Sequence, residues 1–182
     1  MKGLPLKSGI IVGSVIFLTV AFGAVCAEDI VAMRQADMKA IAAATKSIAG
    51  MFKVPSTYSS PEFKLAAELI RDKAGQTLID HFSAEAASPV SKAKPNITEE
   101  HERFDRLAND LKSYAEALTV AAEKNPAAMT ESMRMKPGEP MGGGPLGTHV
   151  KNEAQLSSIP AEHAFHLMLQ TCATCHSRFR LD

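Results

Sequence analysis

The chain has 182 residues, with 20 Lys plus Arg against 20 Asp plus Glu and therefore no formal net charge. That length fits one ordinary domain with a small appendage, so no second domain need be sought. Without a basic excess there is nothing to draw a phosphate backbone onto the surface, and nucleic acid is not expected as a partner.

The N-terminus carries Lys2 and Lys7, then runs from Gly9 to Ala27 without a charge and rich in Ile, Val, Phe and Ala. This pattern predicts a secretory signal peptide over residues 1–27, with Val25, Cys26 and Ala27 offering a small-residue cleavage site before Glu28. The alternative is an uncleaved anchor, because the apolar run approaches the roughly 20 residues that span a bilayer. A membrane association is expected only in that case. Gly23, Ala24 and Val25 do not resemble a lipobox, so the thiol of Cys26 is expected to leave with the signal. Loss of Lys2 and Lys7 leaves 18 basic against 20 acidic side chains and a mildly acidic mature chain of residues 28–182.

Beyond Ala27 the apolar residues recur at helical spacing in four stretches, and none alternates with the period of two that strands require. In the first, Val31, Met38, Ile41, Thr45, Ile48 and Phe52 share one stripe, with Glu28 and Asp29 placed in an opening turn. The second starts with Ser60 as N-cap and Pro61 at the first helical position, and buries Phe63, Ala66, Ala67, Ile70, Ala74, Leu78 and Phe82 as one helix. Residues 83–97 read as a loop. Asn96 with Glu99 fits a capping box for the third helix, whose Phe104, Leu107, Leu111, Tyr114, Leu118 and Ala121 face inward until Asn125 and Pro126 stop it. Residues 126–157, with Pro137, Pro140, Gly142 to Gly144 and Pro145, read as a flexible insertion. The fourth helix begins near Ser158 to Pro160 and directs Phe165, Met168, Leu169, Cys172, Cys175, His176 and Phe179 inward. The fold class is all-α, an antiparallel four-helix bundle, an architecture that builds cofactor sites between facing helices.

Cys172-Ala173-Thr174-Cys175-His176 is the pattern that attaches haem covalently. Residues three apart lie on one side of a helix, so two thiols can reach the two vinyl groups along one porphyrin edge, and His176 can turn its imidazole under the iron. Two other uses of these residues compete with haem attachment. A redox dithiol wants a strand-helix-strand setting, which this helical chain lacks. A zinc site from His163, His166, Cys172 and Cys175 would have to close about 14 Å of helical rise around an ion with bonds near 2 Å.

The motif lies a few residues from the end of a four-helix chain, followed by Phe179 and Arg180 and preceded by Phe165. The first helix adds Arg34-Gln35 ahead of Met38, and Ala93-Lys94-Pro95 leads to Phe104. In this combination the chain resembles the cytochrome c prime family, the class II c-type cytochromes, and within it the low-spin branch with Met and His ligands. The resemblance implies one haem c attached through Cys172 and Cys175, His176 as proximal and Met38 as distal iron ligand, and Arg34 and Gln35 near the propionates. It also implies a periplasmic electron carrier without substrate turnover, served by redox partner proteins, with a homodimer possible. The alternative is a five-coordinate, high-spin member that binds nitric oxide or carbon monoxide. A third reading, metal handling, rests on Met129, Met133, Met135 and Met141 with His149, since thioethers suit Cu(I).

Haem attachment in this family follows export. Deleting residues 1–27 is therefore expected to abolish covalent holoprotein, measured by haem staining of denatured protein. Normal haem content in the truncated, unexported chain would contradict the export reading, and mass spectrometry of the mature N-terminus distinguishes cleavage before Glu28 from a retained anchor.

Overall fold

Helical periodicity is realised throughout the computed structural model, which describes residues 21–83, 91–138 and 156–181. Five α-helices occur among the described residues: α1 Ala21–Lys53, α2 Ser60–Lys73, α3 Gln76–Ser83, α4 His101–Lys124 and α5 Ala161–Phe179. No strand occurs among them, only an isolated antiparallel bridge between Ala93 and Arg180. With α2 and α3 together forming the second member, this is the four-helix bundle expected from the sequence.

Several boundaries differ from expectation. α1 already runs from Ala21, so Glu28 and Asp29 are not in its first turn. The residues 1–20 that hold most of the expected signal lie outside the described residues, and no helix among those described is long and apolar enough to cross a membrane. α2 is capped at Ser59 rather than Ser60, because the Ser60 hydroxyl donates across the bundle to the Ala122 carbonyl at 2.8 Å. The second helix also breaks at Ala74 and Gly75. Gly75 takes φ +60, a left-handed conformation that glycine adopts without the usual Cβ penalty, and its N–H donates to the Ala108 carbonyl at 2.9 Å. The chain thereby starts α3 in a new direction. α4 begins at His101, not after Asn96. A short 3-10 turn, Pro95–Ile97, intervenes, and the Asn96 side chain reaches Glu100 instead of capping a helix.

The apolar stripes meet in two buried clusters. The larger joins Ile41, Ile48 and Phe52 of α1, Phe63 and Ile70 of α2, Leu111 and Leu118 of α4 and Phe165 and Met168 of α5. Burying each such side chain contributes about 1.5–3 kcal/mol. The smaller cluster lies at the other end of α4, where Phe104 and Leu107 meet Leu78, Ile97 and Phe179.

Residues 126–138 are not the free loop that their composition suggests. Met133 is buried to 1% exposure within the larger cluster, and Met129 packs against it. Arg134 clasps the segment to the bundle: its Nε donates to Glu162 Oε2 at 2.9 Å and its Nη1 to the Phe52 carbonyl at 2.8 Å. Glu162 Oε2 also accepts the Met135 N–H at 2.9 Å. The burial of Met133 corrects the reading of these methionines as a soft-metal surface, while Met141 and His149 lie outside the described residues. Arg134→Met is expected to destabilise the protein by about 1–2 kcal/mol, the worth of a charge-assisted pair discounted for partial exposure. Limited proteolysis should show faster cleavage between residues 129 and 138. Unchanged cleavage and melting would show the clasp to be inert.

Candidate functional site

On α5 the residues Ala161, Phe165, Met168, Cys172, Cys175 and Phe179 follow one another every three or four positions and, with Ala164, line the inward face. This stripe places the two thiols on opposite sides of a seam in the core. Cys172 packs against the larger cluster, Cys175 against the smaller one. Met38 of α1 packs against both, so it borders the same seam from across the bundle. His176 stands at the exposed edge and Leu169 faces outward, so these two do not continue the inward stripe as expected.

Cys172 and Cys175 are free thiols. Burial pushes the Cys175 thiol up to about 11, helped by the neighbouring Cys172, and burial raises Cys172 as well. A disulfide-exchange pair needs the opposite, a depressed thiol pKa. The dithiol reading therefore has no support in the electrostatics. No group of three or more His, Cys, Asp or Glu able to hold a metal ion occurs among the described residues, which also speaks against the four-ligand zinc arrangement. Partial burial, then the charge of Arg180, pull the His176 imidazole below its ordinary value. It is thus neutral at pH 7 and has a ring nitrogen lone pair to give to a metal. Two half-buried thiols one turn apart and a neutral imidazole beside them are the donor set that a covalent haem c needs.

Arg34 and Gln35, expected together near propionates, part company. Gln35 is exposed on the outer face of α1. Arg34 is 5% exposed, and its Nε donates to the His81 carbonyl at 2.6 Å while the guanidinium lies 4.3 Å over the Phe82 ring. Desolvation by this burial lowers its pKa. Sequence reasoning missed the other members of this group. Asp37, 8% exposed, pairs with Lys73 Nζ of α2 and lies 3.6 Å from His81 Nδ1 of α3. The available signal was the stripe itself: Arg34 and Asp37 flank Met38 on the buried side of α1, and buried charges need partners. Those partners came from beyond the helix break, which the sequence reading did not foresee.

Comparison with known proteins bears on what this arrangement is. A family model described as Cytochrome C' matches residues 29–137, more than half of the 182. The solved cytochrome c' from Thermochromatium tepidum is similar with a TM-score of 0.60 at 19% identity, covering 86% of this chain and 97% of that one. Cytochrome c' from Rhodopseudomonas palustris gives 0.57 at 24% identity, covering 85% and 97%. A further cytochrome c', described as having an unusual ligand-controlled dimer dissociation, gives 0.59 at 15% identity, covering 86% and 97%. Comparison with curated proteins gave no match.

These findings overturn one expectation. The family matched is the cytochrome c' one, known for five-coordinate, high-spin haem that binds nitric oxide or carbon monoxide, and not a six-coordinate Met38/His176 electron carrier. The physical reason is consistent with the packing: the Met38 side chain is engaged between two apolar clusters.

The raised thiols generate a test on the apoprotein lacking residues 1–27. With its pKa pushed up to about 11, against an ordinary value of 9.0, Cys175 has a thiolate about 100-fold scarcer at pH 7.5 in the folded chain. Iodoacetamide should accordingly alkylate Cys175 far more slowly in buffer than in denaturant, with the difference closing as pH rises toward 11. Because the folded pKa is raised, the thiol's contribution to apoprotein stability is complete below pH 8 and is lost as pH climbs through the folded value. Equal alkylation rates in buffer and denaturant would refute the burial.

Proposed function

Because this chain belongs to the cytochrome c' family, we propose that it is an exported haem protein that binds a diatomic gas at a five-coordinate, high-spin iron. One observation carries the reading: Cys172 and Cys175 straddle the seam between the two core clusters, and Met38 faces that seam with both clusters against it.

Haem c, when bound, would supply the iron that takes nitric oxide or carbon monoxide. The residues of this chain would then divide the work. Cys172 and Cys175 would form the two thioethers, fixing the cofactor along one side of α5. His176, neutral at pH 7, supplies the proximal nitrogen. On the α1 side, Met38 presents an apolar, flexible surface to the seam, which admits a small uncharged gas and disfavours water and anions. Behind it, the Arg34 bond to α3 and the Asp37–Lys73 pair hold α1 against the second helix and keep Met38 in register. No turnover is required of such a site. Export to the periplasm follows from the N-terminal pattern, and a homodimer is in keeping with the family, with Leu65 of α2 at 67% exposure available to an apolar contact.

The ferrous holoprotein is expected to show a high-spin spectrum and to bind carbon monoxide reversibly. Met38→Ala, which removes bulk from the seam, should speed carbon monoxide association by about tenfold or more, an effect on access that stopped-flow absorbance reads directly. A low-spin wild-type spectrum without response to carbon monoxide would overturn the proposal.

A further inference from the structure

An α-helix leaves its last four carbonyls without helical partners, usually to water. In α5 that last turn begins at His176, and each of its carbonyls is occupied. The His176 carbonyl accepts the Arg180 N–H at 3.0 Å. The next three are taken by a segment some 80 residues away in sequence, the stretch that leads into α4. Lys94 Nζ donates to the Ser177 carbonyl at 3.2 Å, Asn96 Nδ2 to the Arg178 carbonyl at 3.4 Å and the Lys94 N–H to the Phe179 carbonyl at 2.8 Å. Leu181 N–H returns a bond to the Lys92 carbonyl at 2.7 Å, completing the bridge between Ala93 and Arg180. Glu100 closes the strap by a two-pronged pair with Arg178, one prong at 2.9 Å. Beneath it Phe179 is 3% exposed and meets Phe104 edge to face at 5.5 Å.

From this geometry we propose that the strap of residues 92–100 is a positioning device for His176, and that it limits how readily a gas binds on the opposite face of the haem. The inference rests on the gas-binding reading. His176 opens a turn in which its own carbonyl is held by Arg180 and the other three are held by the strap, so the backbone just beyond the imidazole is fixed to the segment that leads into α4. A gas taken by an iron that His176 held would ask the imidazole to shift with it. A fixed last turn resists that movement and so disfavours the liganded state relative to the free one, which is the differential stabilisation that a change in affinity needs. The bonds that Lys94 and Asn96 make toward α5 go to backbone carbonyls of its last turn, and it is through that turn that they act.

The test compares holoprotein carrying Lys94→Ala with Asn96→Ala, holoprotein carrying Lys94→Arg, and a control, Lys64→Ala, which removes the remote surface pair with Glu123. The double variant is expected to bind carbon monoxide at least about fivefold more tightly, mainly through slower release, a coupling of ordinary allosteric size. Amide exchange at residues 178–181 should quicken in the same variant. Lys94→Arg retains the donor and should behave as wild type. Faster exchange with unchanged carbon monoxide affinity would overturn the proposal, as would an equal change in Lys64→Ala. Should the double variant fail to fold, Asn96→Ala and Glu100→Gln each carry the same readouts singly. A wild-type protein that ignores carbon monoxide refutes the gas-binding reading instead. The strap is then judged on reduction potential, which must shift in the double variant and return in Lys94→Arg, and an unshifted potential overturns it.

Discussion

Holding two half-buried thiols of one helical turn, each against a different part of the core, is the constraint around which this bundle is arranged. A helix can do so only if its inward face holds Phe165, Met168, Cys172, Cys175 and Phe179 in register over four turns, and α5 has that register. The partition of the core into two clusters follows from it. Leu111 and Leu107 of α4 fall in different clusters, and Met38 packs against both while Cys172 meets the larger and Cys175 the smaller. Burial then does chemical work, because a desolvated thiol is kept from the thiolate that would otherwise form disulfides.

The charged group on α1 follows from the same arrangement. Arg34 and Asp37 sit on a buried stripe where an apolar pair would pack more cheaply, and buried ions are weak stabilisers because desolvation offsets their attraction. What they provide is direction. Arg34 binds a carbonyl of α3 and Asp37 binds Lys73 at the end of α2, so both sides of the Gly75 break are tied to one turn of α1. The break is thus more than an interruption. It turns His81 and Phe82 toward Arg34, and the Phe82 ring meets the tilted ring of Phe104 at 4.9 Å between centroids, linking the charged group to the smaller cluster.

Much of this was legible in the chain because it depends on local spacing. The four helical periods, Pro61 at a helix start and Asn125 with Pro126 at a helix end express one-dimensional rules, and the motif at Cys172, Cys175 and His176 is itself a spacing rule. What escaped depends on contacts between distant segments. Asn96 with Glu99 reads as a local capping box, but the side chain of Asn96 is engaged with Glu100 and with α5. The segment around Met133 is poor in helical signals and rich in turn formers, yet one buried methionine and one arginine are enough to dock it. Met38 shows the limit most clearly. Its side chain does border both core clusters, but direction alone does not distinguish a side chain that reaches a metal from one that packs beside it, and the family match speaks against the six-coordinate reading.

The two long-range features have a common object, which is α5. At its first turn Glu162 accepts Arg134 Nε and the Met135 N–H, while Arg134 also holds the Phe52 carbonyl near the end of α1. At its last turn the carbonyls are held by Lys94 and Asn96. A helix secured at one end only could slide or rotate slightly in its groove, since apolar contacts are not directional. Hydrogen bonds at both ends remove those freedoms, because each demands a donor within a few tenths of an ångström of its acceptor. The helix that carries Cys172, Cys175 and His176 is therefore secured at both ends, by Arg134 at its first turn and by the strap of residues 92–100 at its last.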